Sequence, residues 1–197
     1  MKIAAIQPLS LSDFPGHCAA IIFTVGCNLR CHYCHNKNLW DESCQQISEQ
    51  EIWTFLRSKT KKLDGVVITG GEPTIQPGLV EFIKKIKVLG YKVKLNTNGA
   101  NADCIRDLIN QDLIDYIAMD VKAPFDAYEK VCGTKVSLEN IKESLLLVSS
   151  SKIPHEFRTT WATQWLNEDD IGSIKAIIPK HSKHIVQTEI SSSDAVV

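Results

Sequence analysis

Three cysteines fall within eight residues of the chain, Cys27, Cys31 and Cys34, in the stretch CNLRCHYCHN. Thiolates are ligands for soft metals, so this spacing points to zinc or to an iron–sulfur cluster. A closed structural zinc site needs four ligands, which the three cysteines and one of His32, His35 or Cys44 could supply. Clusters are usually held by four cysteines. Three would leave one iron without a protein ligand, and an open metal position is what catalysis requires. The chain has seven cysteines, the others being Cys18, Cys44, Cys104 and Cys132. An odd count with a local cluster argues for metal or redox chemistry over a disulfide framework. The four outlying cysteines have neither the spacing nor the company of ligands, and Cys104, at a helix start, reads as packing.

Four other places concentrate polar residues. GGEP, Gly70–Pro73, reads as a tight turn, and glycines also let a backbone approach a ligand closely. Asn96 and Asn98 lie in LNTNG, where Asn-Gly is a turn signal. In MDVK, Asp120 and Lys122 are two residues apart, on one face of a strand end, as a surface ion pair or a paired site. Arg158 sits inside HEFRTTW, and a buried Arg requires an anion. His17, His35, His181 and His184 read as surface or packing residues.

A rhythm of short strand and long helix positions these groups. Apolar, β-branched runs over 19–25, 65–69, 91–97, 113–121, 155–161 and 184–189 read as six strands. Between them, apolar stripes at helical spacing mark helices. Ser48 with Glu51 makes a capping box, Gly90 stops the helix of Leu79 to Leu89, and Pro179 ends that of Ile171 to Ile178. Strand–helix repeats imply a parallel sheet. The fold class is therefore α/β, a partial (β/α)6 TIM-like barrel of parallel strands with outer helices, and a doubly wound sheet is the rival. Either places function in the loops after the strands, where the cysteines, GGEP, Asn96 and Asp120/Lys122 all fall. We expect one domain over 1–197, with an N-terminal extension at 1–18 containing a turn at Asp13–Gly16, and a frayed tail at 190–197.

The 197 residues carry 22 Lys and Arg against 23 Asp and Glu, a net charge of −1, and 44% are hydrophobic. That balance predicts no nucleic-acid or anionic-membrane surface. No apolar run reaches membrane-spanning length, and the start, MKIAAIQPLS, lacks a signal-peptide core, so a soluble cytoplasmic protein is expected.

CNLRCHYC has the CxxxCxΦC pattern of the radical S-adenosylmethionine (SAM) enzymes, with Tyr33 at the aromatic position. LSDFPGH, FTVGCNLRCHYCHN and ITGGEPTIQPGL resemble the activating enzymes of glycyl-radical proteins, above all the short type that activates anaerobic ribonucleotide reductase. The resemblance covers nearly the whole chain. It implies a [4Fe–4S] cluster on Cys27, Cys31 and Cys34, with SAM on the fourth iron. The reduced cluster would cleave SAM to methionine and a 5′-deoxyadenosyl radical, which takes hydrogen from a glycine of a partner enzyme. Around SAM the resemblance places Tyr33 and the GGE motif of Gly70, Gly71 and Glu72, with the Gly71 carbonyl and Glu72 carboxylate on the ammonium group. Asn96 replaces an acid found in some of these enzymes. Lys122 would face the SAM carboxylate and Asp120 the ribose or the partner glycine, with Arg158 reaching SAM or Glu72. A reduced flavodoxin or ferredoxin would be the electron donor. The larger members carry a His-containing segment after the sixth strand; QTEISSSDAVV stands there instead, so that contact is expected to be missing or replaced. Alternatives are a small-molecule substrate, as in the 7-carboxy-7-deazaguanine synthases, another polypeptide, or a zinc-stabilised binding module without catalysis.

Overall fold

The computed structural model describes residues 1–41 and 43–189. The expected frayed tail, 190–197, lies outside the described residues. Seven strands form one sheet: β1 (Ile3–Ser10), β2 (Ala19–Thr24), β3 (Gly65–Gly70), β4 (Lys92–Thr97), β5 (Tyr116–Asp120), β6 (His155–Trp161) and β7 (Lys183–Thr188). They lie side by side in chain order. β2 to β7 pair in parallel, and β1 pairs antiparallel with β2. A doubly wound sheet reverses its strand order partway along. This one does not, so the six parallel strands are a partial barrel, extended by an antiparallel edge strand.

The crossovers are α1 (Glu49–Lys59), α2 (Leu79–Val88), α3 (Ala102–Asn110), α4 (Tyr128–Cys132), α5 (Leu138–Ser150) and α6 (Glu168–Ile177). Ser48 and Glu51 form the capping box of α1. The stripe of α2 buries Leu79, Phe82, Ile83 and Ile86. These residues join Ile22, Ile68, Leu95, Ile117 and Phe157 in the layer between helices and sheet. One Leu or Ile buried there contributes about 1.5–3 kcal/mol.

The N-terminal segment before the first parallel strand has a strand of its own. Residues 3–10 are a strand, and the turn that follows carries Phe14 into the barrel's lower end, where it is 2% exposed. Phe14 packs there with Ala19, Ile21 and Val67, and its ring lies edge-on to Tyr116 at 6.1 Å. Above this floor the interior is charged. Lys94 donates to Glu156 at 3.4 Å and lies over the Tyr116 ring, whose hydroxyl donates to Glu156 at 2.9 Å. Side chains alternate along a strand. The next inward residues up β4, β5 and β6 are therefore Asn96, Asp120 (two positions above Ala118) and Arg158.

Candidate active site

The cleft at the upper, C-terminal end of the strands has a volume of about 230 Å³. All eleven residues singled out from the sequence line it: Cys27, Cys31, Cys34 and Tyr33 from the loop after β2; Gly70, Gly71 and Glu72 after β3; Asn96 on β4; Asp120 and Lys122 at the end of β5; and Arg158 on β6.

The cysteine loop is held by backbone bonds at both ends and in its middle. Gly26 N–H donates to Leu39 O at 2.7 Å and Cys27 N–H to Trp40 O at 3.3 Å. Arg30 N–H donates to Cys132 O at 2.9 Å, and Cys34 N–H to Cys31 O at 3.0 Å. The Leu29 amide donates to the Cys27 sulfur at 3.4 Å. Burial pushes the Cys27 thiol up to about 11. The neighbouring Cys132 thiol, against the effect of burial and with the help of the Lys122 charge, pulls Cys31 down to about 7. Metal ligation removes thiol protons outright. Among the described residues, no three His, Cys, Asp or Glu side chains converge closely enough to hold a single metal ion.

The GGE motif has a structural reason beyond ligand approach. Gly70 has φ +112°, and a Cβ on it would collide with the Thr24 backbone; one on Gly71 would collide with the Gly26 carbonyl. Gly71 N–H donates to Thr24 O at 2.9 Å and Glu72 N–H to Gly26 O at 2.8 Å. The two glycines thus let the end of β3 press against the backbone that starts the cysteine loop. The Glu72 carboxylate is 1% exposed and already holds four protein donors. Its Oε1 accepts from Thr74 N–H at 3.0 Å, from the Thr74 hydroxyl at 2.5 Å and from the Thr97 hydroxyl at 2.7 Å; its Oε2 accepts from Asn98 N–H at 2.7 Å. Burial raises its pKa. Glu72 therefore ties the β3 loop to the β4 loop, and Asn98 continues the tie to Asn28 at 2.8 Å.

Asp120 is shared by two cations. Its Oδ2 accepts from Lys122 at 2.8 Å and its Oδ1 from Arg158 at 3.0 Å. Arg158 thus meets Asp120 and not Glu72, because the β5–β6 register puts the two side by side. Burial would raise the Asp120 carboxyl, but Arg158 and Lys122 outweigh it and hold it at about 2. Among the described residues, two buried polar atoms of cleft-lining residues have no protein partner, Asn96 Oδ1 and the Tyr33 hydroxyl. Buried polar groups are nearly always paired, so orphans beside a cleft are places where a polar group of a ligand or a water fits.

Sequence reasoning read His35 as a surface or packing residue and did not single out Trp40, Thr97 or Thr160; all four also line the cleft. It also missed Cys132, which lies against Cys31. Thr97, Thr160 and Cys132 come from other strands and loops, so spacing to the motif carries no signal for them; His35 and Trp40 follow Cys34 in the same loop, where nearness in sequence alone does not single out a lining residue.

The family model of the radical SAM superfamily matches residues 21–172. A Methanocaldococcus jannaschii protein whose name proposes it as a glycyl-radical enzyme activating enzyme is 34% identical over 193 residues, 94% of this chain and 78% of that protein. The pyruvate formate-lyase-activating enzyme of Clostridium pasteurianum is 29% identical over 67% of this chain and 57% of its own length. The 7-carboxy-7-deazaguanine synthase of Clostridium acetobutylicum is 30% identical over 69% of this chain. The chain spans 62% of that enzyme, so it covers less than two thirds of the last two relatives. Among solved structures, TYW1 with a lysine–pyruvate adduct bound shares the fold with a TM-score of 0.64 at 19% identity, over 90% of this chain and 68% of that one. This chain belongs to the radical SAM superfamily, enzymes that use a [4Fe–4S] cluster and S-adenosylmethionine.

Proposed function

We propose that the chain is one radical SAM domain that activates a glycyl-radical enzyme, with its cluster held by Cys27, Cys31 and Cys34 and SAM held in the adjoining cleft. When bound, the reduced cluster would supply the electron for reductive cleavage of SAM, and Cys27, Cys31 and Cys34 would hold it. The residues present fit both groups. Three thiols open onto one cleft, and an amide oxygen buried beside them lacks a partner. The orphaned Asn96 Oδ1 carries the reading, because an unmet buried acceptor costs about 1–3 kcal/mol and a ligand ammonium or hydroxyl would relieve it.

The protein's own groups then divide the work. Lys122, with Asp120 beside it shared with Arg158, turns its remaining donors to the SAM carboxylate. Asp120, pinned by Arg158, presents oxygens to the ribose hydroxyls. The Gly70–Gly71 backbone lies close to the amino group, with Glu72 behind it fixing the loop and keeping acceptor room on Oε2. Tyr33 covers the site from the cysteine loop.

The partner we propose is anaerobic ribonucleotide reductase, with a reduced flavodoxin or ferredoxin as electron donor, in the reducing cytoplasm where the thiols stay free. Similarity over 94% of the chain to a protein named for glycyl-radical activation supports a glycyl-radical partner. Among the described residues no helix is long and apolar enough to cross a membrane. A second reading, a small-molecule substrate, is favoured by the similarity to a 7-carboxy-7-deazaguanine synthase. Incubation with the reductase, SAM and a reductant under anaerobic conditions tests the two. A glycyl-radical signal in electron paramagnetic resonance is expected; turnover of a pterin without any protein partner would favour the second reading.

A further inference from the structure

The cleft's chemistry leaves one buried nucleophile unused. Cys132 is the last residue of α4 and is 0% exposed. The cysteine loop runs directly alongside it. Arg30 N–H donates to Cys132 O at 2.9 Å and His32 N–H to Val131 O at 3.5 Å. These two bonds flank Cys31 in the chain and clamp it against the end of α4. The contact is as close as backbone permits: Gly133 has φ +64°, and a Cβ there would lie 2.5 Å from the Arg30 carbonyl. The clamp thereby brings the Cys132 thiol near enough to the Cys31 thiol for each to act on the other's charge.

We propose that Cys132 is a positioning residue whose S–H donates a hydrogen bond to the Cys31 sulfur and raises the reduction potential of the cluster that Cys31 holds. This rests on the reading of Cys31 as a ligand. A ligating cysteine has given up its proton, so the one S–H at this contact belongs to Cys132. Reduction adds negative charge to the cluster, and hydrogen bonds to its sulfurs stabilise that charge. The clamp fixes both backbones, so the donor keeps its aim when the electron arrives. A less negative potential lets a biological reductant populate the reduced state more fully.

The test is an anaerobic redox titration of the reconstituted protein, read by electron paramagnetic resonance together with iron content. It compares the wild type with Cys132→Ala, Cys132→Ser and Cys31→Ala. Cys132→Ala is expected to keep its iron and shift the one-electron equilibrium against reduction by threefold to tenfold, at most about 59 mV more negative. Cys132→Ser keeps a donor and is expected at or above the wild-type midpoint. A Cys132→Ala midpoint equal to that of the wild type would overturn the proposal, and so would loss of iron from that variant, which would make Cys132 a ligand. Should Cys132→Ala fail to fold, a Cys132→Ser midpoint well below wild type overturns it equally. A Cys31→Ala protein with a full, wild-type cluster would instead overturn the ligand reading beneath. Loss of the cluster there, with Cys132→Ala titrating like wild type, would sink the hydrogen bond alone.

Discussion

Asp120 holds Lys122 and Arg158 together, and both cations are largely buried, their side chains 15% and 20% exposed. Asp120→Asn would leave two neighbouring cations without their anion. The expected loss is about 2–3 kcal/mol in urea unfolding, short of the cost in a fully buried pair because some solvent reaches it. The sign with pH follows from the depressed carboxyl. Its contribution is whole above about pH 4 and fades as pH falls toward 2, so unfolding curves of the wild type and Asp120→Asn should converge in acid. With SAM in the proposed site, Asn96→Ala would remove one hydrogen bond to it, so SAM binding should weaken about tenfold in titration calorimetry with the cluster's spectrum unchanged. These residues were legible because strand ends of a β/α fold are where function sits. The ties of Glu72 were not, because its donors Thr97 and Asn98 come from the next strand's loop, and nothing in GGEP announces them.

The crossing of the β2 and β3 ends sets where the cysteine loop starts. Gly71→Ala would drive a methyl group into the Gly26 carbonyl, so about 3 kcal/mol of destabilisation and a lower iron content after reconstitution are expected. Thermal unfolding and an iron assay check both. Phe14 closes the barrel floor well away from the cysteines, and Phe14→Ala should cost about 3–5 kcal/mol in the same unfolding measurement. Strands β2 to β6 could be read from their apolar runs, because helices cover one face and the barrel interior the other; β7, at the sheet edge with no buried residue, showed only through its short apolar run at Ile185 and Val186. β1 could not. It is an edge strand with only its end residues buried, and it contains Pro8, which edge strands tolerate and which blurs a strand pattern. α4 escaped notice because its five residues are too few to show a helical period.

Strands in simple chain order leave the sheet with two ends, β1 and β7, and a cleft at its upper rim lined by the loop after β2, by the ends of β3 to β5 with the loops after them and by Arg158 and Thr160 within β6. That arrangement was legible as a whole because the β/α repeat admits few topologies. What acts in the cleft depends on the reading of three thiols as cluster ligands with a place left for SAM. The most direct test is anaerobic reconstitution with iron and sulfide, then reduction and addition of SAM, with the paramagnetic spectrum recorded and 5′-deoxyadenosine assayed. A reduced [4Fe–4S] signal that SAM perturbs, with deoxyadenosine formed, is the predicted result. A colourless protein holding zinc and indifferent to SAM would contradict it, and the three cysteines would then be a structural clasp.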